Sequence, residues 1–462
     1  MADSIATAYA PRAATMNPRT TALLHAPLLP LLLRLAAPNI AVMLAQASTG
    51  LIETYFVGQL GTNALAGMAA VFPGYMLMTM MSSGAMGGGI SSAIARALGG
   101  GRRHDADALV LHALLINLGF GLAFTLAALL GGRWLYGTLG LSGPSLEAAM
   151  AYSNIAFGGA ALLWVFNGLA SAIRGTGNMA LPAKVICGGV VMLVPLSPCL
   201  IFGIGPFPAL GVAGGAVALV LYYLIGTLVL AATLLGGHGA VRFRLVRPQW
   251  RHFREILRVG AVAILVSLQT YLAISFATAQ VGHVSPAAVA GFGTGNRLEY
   301  LLIPLIFGMA SPIVAIVGTC IGAGARARAL RAAWMGAAVA AAMSEAVGLA
   351  ACIWPEAWLG LFGHDPAMLA AGTQYLHLVG PFYGMFGLGL ALYFASQGAG
   401  MLLWAVVAGL LRLAVAVAGG QLAISLGFGL GGLFAALSAA LVAFGIVNAI
   451  AVAGGAWFRR VA

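Results

Sequence analysis

Long apolar runs, separated by short polar or glycine-containing segments, occupy most of this chain. A membrane-spanning helix takes about 20 mostly apolar residues, and a backbone in lipid must satisfy its hydrogen bonds within its own segment. The pattern therefore predicts an all-α integral membrane protein with twelve transmembrane helices. These lie near residues 30–56, 65–95, 108–131, 148–171, 181–203, 211–235, 256–280, 288–318, 330–353, 372–396, 401–425 and 432–457.

The composition agrees with this pattern and excludes several classes of protein. Of the 462 residues, 61% are hydrophobic and only 7% are charged, whereas soluble domains carry about 25% charged residues. The mean hydropathy is +1.01. Four cysteines lie in or beside apolar runs without the spacing of a disulfide framework or a metal site. The net charge of +12 comes without a basic surface interleaved with aromatic residues, so we expect no nucleic-acid partner.

The arginines lie on alternate loops and predict the orientation in the membrane. The loops between helices 2 and 3, 4 and 5, 6 and 7, and 8 and 9 are basic, as are both tails, while the opposite loops contain one arginine, Arg133. Loops rich in Lys and Arg stay on the cytoplasmic side. We therefore expect a multi-pass protein of the cell (inner) membrane with both termini in the cytoplasm, surrounded by membrane lipids and present as a monomer.

The two halves of the chain repeat each other. Val57-Gly58 aligns with Val281-Gly282 at an offset of 224 positions (57 to 281), and Arg174-Gly175 aligns with Gln397-Gly398 at 223 (174 to 397). Six helices per unit give both units the same orientation, so the repeats are parallel and a substrate site is expected between them. The repeat divides the chain into an N-terminal tail (1–29), a first lobe (30–235), a basic linker (236–255), a second lobe (256–457) and a C-terminal tail (458–462).

Several motifs resemble those of the MATE (multidrug and toxic compound extrusion) family. They are Ile-Glu-Thr-Tyr-Phe-Val-Gly-Gln-Leu-Gly at 52–61, Arg-Gly-Thr-Gly-Asn at 174–178, Leu-Ile-Phe-Gly at 200–203 and Gly-Thr-Gly-Asn-Arg-Leu-Glu at 293–299. The resemblance extends over roughly residues 30–457. It implies a cation-coupled exporter with two six-helix lobes around a central cavity that opens alternately to either side. It also places Glu53 where the family normally has the coupling aspartate of helix 1.

The sequence departs from the family at a second group of polar positions. Many members carry an Asn and an Asp four residues apart on helix 5 and a Thr on helix 6, where this chain has Leu193, Ser197 and Leu219. A sodium ion needs several oxygen ligands, whereas a proton needs one. We therefore expect proton coupling through Glu53, with no metal and no cofactor, and a sodium-coupled exporter of the same family is the alternative.

The polar residues at membrane depth give the candidate site. Glu53 has apolar neighbours and no basic residue within a turn, and desolvation favours the protonated form of such a carboxyl. Weaker candidates for substrate or cavity contacts are Gln46, Tyr55, Asn167, Gln269, Arg297, Glu299 and His377. Arg297 and Glu299 are two apart and point in different directions on a helix. For Glu345 we expect a structural partner on a neighbouring helix.

Other functions have weaker support in the sequence. A lipid-linked oligosaccharide flippase favours a basic cavity for a pyrophosphate, and only Arg297 and Arg412 are candidates. The chain lacks the clustered aspartates, the His-Glu-x-x-His motif and the phosphate-binding Gly-Lys-Ser/Thr loop of membrane enzymes and ATPases. We therefore predict a transporter and not an enzyme. Its expected substrates are small organic cations or drugs, drawn to an apolar cavity with a single carboxylate.

Overall fold

Helices account for nearly all regular structure in the computed structural model, which describes residues 17–237, 239–282 and 285–458. Within these ranges, eleven helices are long and apolar enough to span a membrane, and a bent pair makes a twelfth span. The predicted all-α membrane fold is confirmed. In chain order, α1 to α12 are Leu28–Gly58, Thr62–Gly99, Arg103–Thr138, Gly143–Gly158 with Ala160–Gly175, Ala180–Phe202, Val212–Leu235, Trp250–Gly282, Pro286–Gly322, Arg326–Ile353, Pro366–Ala399, Leu403–Ser425 and Gly429–Ala453.

Four of these helices are irregular near their middle. A π-helical turn, Met81–Met86, interrupts α2, and a second one, Val415–Gly419, interrupts α11. Helix α4 bends by 43° between its two segments, and α10 contains a 3-10 turn, Gly380–Phe382. Such interruptions free backbone groups that other side chains then bind.

Several helices extend beyond the bounds predicted from hydropathy, as α3 does at both ends, and two segments predicted to lie outside the helices are helical. A short helix, Pro18–His25, precedes α1 inside the predicted N-terminal tail. Helix α7 begins at Trp250, so the end of the predicted linker is helical. The hydropathy pattern missed both segments because their charged and polar residues lower the local hydropathy. A further short helix, Pro355–Leu359, follows α9.

Each repeat has its own main core, and both α1 and α7 contribute to the two cores. One buried cluster combines α2 to α6 with Val42 of α1 and Ile256 of α7. Another combines α8 to α12 with the first part of α1, through Leu32 and Ala36, and with the end of α7. A third, smaller cluster contains residues of both repeats. The packing partner of α1 changes near Pro38, which lies inside the helix. The first part of α1 therefore packs on the second repeat, although the repeat pattern assigned the whole helix to the first lobe.

The repeats meet closely at the end of the molecule that carries the basic loops. A Cβ added at Gly318 of α8 would lie 2.9 Å from the Cβ of Ala95 on α2, and Arg96 Nη1 donates to the carbonyl of Gly398 at 3.2 Å. Both ends of the described chain lie here too: Arg328 Nε donates to the carbonyl of Leu23 at 3.1 Å, and Arg326 lies over the Phe458 ring. We call this the arginine-rich end, and in this structure the halves are closed there.

Candidate functional site

Glu53 of α1 is buried inside the first repeat, with 5% of its surface exposed. The hydroxyl of Tyr152, on α4, donates to its Oε2 at 3.3 Å. Its Oε1 is buried and has no hydrogen-bond partner among the described residues. No ion pair in the described ranges involves it. The carboxyl therefore has one neutral donor and one oxygen free to bind a proton or a ligand.

Small and apolar groups of α5 and α6 form the rest of this pocket. A Cβ added at Gly215 would lie 3.9 Å from Glu53 Oε1 and 3.7 Å from Ile201, so α5 and α6 both approach the carboxyl. Leu219 lies one turn after Gly215, and Ser197 lies one turn before Ile201, on the same helix faces. Both are buried. Where the resemblance implied oxygen ligands, this chain therefore has one buried leucine and one buried hydroxyl, and Leu193, a further turn along α5, is also buried.

Tyrosine hydroxyls extend the polar cluster beyond Glu53. The hydroxyls of Tyr75 on α2 and Tyr223 on α6 are 2.6 Å apart, and both tyrosines lie near Glu53. Sequence reasoning did not connect Tyr75, Tyr152 or Tyr223 with Glu53. The available signal was their position in otherwise apolar runs, since buried tyrosines usually find a polar partner.

In the second repeat, Glu299 is an acid at membrane depth that has a cationic partner. Arg412 Nη2 on α11 donates to Glu299 Oε1 on α8 at 2.7 Å, and both side chains are less than a tenth exposed. The guanidinium also lies over the rings of Phe386 and Phe444, at 5.0 and 5.7 Å from their centroids. This pair lines a cavity of about 30 Å³. The two charges neutralise each other, whereas Glu53 has no cationic partner.

Three of the weaker candidates lie between helices. Asn167 of α4 is buried and donates to the hydroxyl of Ser82 in the π-helical turn of α2, at 2.8 Å. Gln269 of α7 is 9% exposed and packs against Gly409 of α11. Gln46 is half-buried on α1. No hydrogen bond or ion pair of the described residues joins any of the three to Glu53, whose hydrogen-bond partner is Tyr152.

The other three weaker candidates have exposed side chains outside both acidic sites. Tyr55 is 65% exposed, His377 is exposed on α10, and Arg297 is exposed with its guanidinium 5.2 Å from the Phe362 ring centroid. Arg297 and Glu299 do not pair with each other, as their spacing predicted. The structural role predicted for Glu345 is also confirmed, because its Oε2 accepts from the backbone N–H of Gly384 in α10 at 2.6 Å.

Sequence comparisons place this architecture in a known family. The MatE family model matches residues 38–199 and 262–418. A probable multidrug resistance protein, NorM, from Deinococcus radiodurans is 30% identical over 79% of this chain and 82% of its own length. A FAD transporter from Shewanella oneidensis is 28% identical over 81% of this chain and 82% of its own length.

Solved structures share the same fold. A crystal structure of MATE in a bent conformation superposes with a TM-score of 0.87 at 23% identity, covering 95% of this chain and 98% of that one. A MOP superfamily transporter from Pyrococcus furiosus gives a TM-score of 0.87 at 23% identity, covering 96% and 99%. Proteins of the MatE type are transporters and not enzymes. The family match over most of the chain, together with the twelve-helix architecture, shows that this multi-pass membrane protein belongs to the MATE family.

Proposed function

We propose that this protein is a secondary active exporter that exchanges small organic compounds for protons, with Glu53 as the exchanging carboxyl. The observation that carries the proposal is the environment of that residue. It is buried, it accepts one hydrogen bond from a neutral phenol, and its second oxygen has no partner in the described ranges. An ionisable group at membrane depth without a counter-charge usually serves transport, since its burial is costly.

The residues around Glu53 favour a proton over sodium as the coupling ion. Hard cations are held by several oxygen ligands, and the helices facing the carboxyl contribute the apolar side chains Leu193 and Leu219. The buried Ser197 hydroxyl, which has no described partner, and the Tyr152 hydroxyl are the remaining oxygens. A single proton requires neither of them.

We further propose that the arginine-rich end faces the cytoplasm, in keeping with the positive-inside rule. The present structure, closed at that end, is then the state from which substrate leaves outward. Protonation of Glu53 and binding of substrate would favour opposite states, because a ligand shifts a conformational equilibrium by its difference in affinity for the two states.

Organic cations are the substrate class that this site supports best. A carboxylate selects the sign of the charge, and apolar and aromatic side chains contribute affinity for a flat body. An oligosaccharide pyrophosphate has less support, since Arg412 is neutralised by Glu299 and Arg297 lies outside the site. The relative from Shewanella oneidensis named as a FAD transporter makes FAD a second candidate substrate.

Transport into proteoliposomes under imposed gradients tests the coupling proposal. A pH gradient should drive uptake of a flat monocationic dye, and a sodium gradient at clamped pH should not. Glu53→Gln should abolish the pH-driven flux. Glu345→Gln is the matched control, because this acid also lies at membrane depth and its amide can still accept from Gly384. Sodium-driven flux in the wild type, or full flux in Glu53→Gln, would contradict the proposal.

The same vesicles distinguish the two substrate classes. The dye flux should be inhibited by other organic cations and not by FAD if the site selects cations. Transport of FAD itself, with no transport of cations, would replace the substrate assignment and leave the coupling result standing.

A further inference from the structure

A second small cavity lies between the repeats, close to the arginine-rich end. It has a volume of about 20 Å³ and is lined by Gly87, Ser171 and Arg174 of the first repeat and by Ser311, Phe394 and Gln397 of the second, among others. These residues are repeat mates: 171 and 174 align with 394 and 397 at an offset of 223, and 87 aligns with 311 at 224. The cavity therefore lies on the axis that relates the two halves.

Arg174 brings a positive charge into this cavity without a carboxylate to balance it. The sequence motif suggested a basic loop residue, but Arg174 lies in the last turn of α4 and only 6% of it is exposed. Its Nε is buried without a hydrogen-bond partner, and no ion pair of the described residues includes it. The buried Arg412, by contrast, has Glu299. A buried guanidinium without a counter-charge is costly unless another negative group neutralises it.

Further polar groups line the same space. Gln397 is fully buried. Its Nε2 donates to the carbonyls of Ala85 and Gly84, in the π-helical turn of α2, at 3.3 and 3.4 Å. Its Oε1 has no hydrogen-bond partner among the described residues. Ser171 and Ser311 also line the cavity. The Ser311 hydroxyl donates to the sulfur of Met179 at 3.6 Å, and either hydroxyl can rotate to donate to a ligand instead. A water needs about 10–15 Å³ of such volume. The cavity therefore suits a small ion and is far too small for an organic substrate.

We infer that this cavity binds a small monovalent anion of the halide class, with Arg174 as the neutralising charge. The wall comes from both repeats, so the complete site exists only while the halves are closed at the arginine-rich end. Binding must then favour the closed state, and closure must raise the affinity for the anion by the same factor. The inference does not depend on which ion couples transport at Glu53.

Pulsed electron paramagnetic resonance on the full chain tests this directly. Spin labels at Arg103→Cys and Ala327→Cys, both exposed positions at the arginine-rich end, report the separation of the repeats after the four native cysteines are replaced. Chloride is titrated against gluconate at constant pH and ionic strength. We expect the ratio of closed to open molecules to rise with chloride, by about elevenfold at ten times the dissociation constant, and bromide should act like chloride.

Two variants locate the effect. Arg174→Gln should remove the dependence on chloride, while Arg133→Gln, which changes an exposed arginine at the opposite end, should keep it. Equal distance distributions in chloride and gluconate would mean that water alone occupies the cavity, and would overturn the inference. So would a chloride effect that persists in Arg174→Gln. If that variant does not fold, the anomalous scattering of bromide in crystals of the wild type tests the site instead. An anomalous peak beside Arg174 is expected, and its absence would refute the site.

Discussion

Alanine in place of Gly318 should shift the protein away from the state that is closed at the arginine-rich end. A Cβ at this position of α8 would lie 2.9 Å from the Cβ of Ala95, on α2 of the other repeat. Ordinary contacts begin at 3.4 Å, so the two helices must separate by about 0.5 Å (3.4 minus 2.9). Overpacking of this kind costs about 1–3 kcal/mol. Because the strain exists only while the halves are closed, the ratio of closed to open molecules should fall about 5- to 150-fold.

The spin-label pair at Arg103→Cys and Ala327→Cys measures this ratio, and export by the variant should slow in parallel. Gly119→Ala on α3 is the matched control, since a Cβ there would meet nothing within 4 Å and the gain in helix propensity is the same. An unchanged distance distribution in Gly318→Ala, or an equal shift in the control, would refute the role assigned to this close contact in the conformational cycle.

Two further substitutions test the packing that supports the site. Arg412→Met should destabilise the protein by about 3–5 kcal/mol, because Glu299 is left as an unpaired buried charge, and adding Glu299→Gln should restore most of that loss. Thermal unfolding in detergent measures the stability of both variants. An equal loss in the double variant would contradict this account. Asp107→Ala should speed tryptic cleavage in the linker 239–249, because Asp107 accepts from the backbone N–H of Arg242 at 2.8 Å and its loss costs about 1–3 kcal/mol. The exposed Glu147→Ala is the control, and equal cleavage rates in the two variants would show that this bond does not hold the linker.

The apolar pattern was sufficient to predict the twelve helices, because span length and backbone satisfaction are local constraints. The parallel repeat followed from the aligned positions of the two halves. The apolar pattern could not predict where helices change partner. The first part of α1 packs on the second repeat through Leu32 and Ala36, and no local signal other than Pro38 marks that exchange. The interruptions inside α4 and α10 were missed for a similar reason, since their apolar runs continue through the bend.

The candidate site shows the same limit. Burial of Glu53 follows from its apolar neighbours, but its hydroxyl partner lies 99 positions away in the chain, and the Glu299–Arg412 pair spans 113 positions. Such pairs depend on which helix faces meet. Tyr55 and His377 were selected by residue type alone, and both proved exposed. Arg174 was assigned to the loop between helices 4 and 5, whereas it lies in the last turn of α4, is buried and lines a cavity between the repeats.

Release of protons on substrate binding is the measurement that most directly tests the central claim, namely that proton and substrate compete for Glu53. Purified protein in weakly buffered detergent solution is mixed with a transported compound while a pH indicator records free protons. Linkage requires that a substrate which binds the ionised form displaces the proton. The wild type should therefore release about half a proton per bound molecule at the midpoint of its titration and about one proton at pH values well below the midpoint. Glu53→Gln should bind without release, and Glu345→Gln should match the wild type. Substrate binding by the wild type with no proton release at any pH, or undiminished release by Glu53→Gln, would contradict the account.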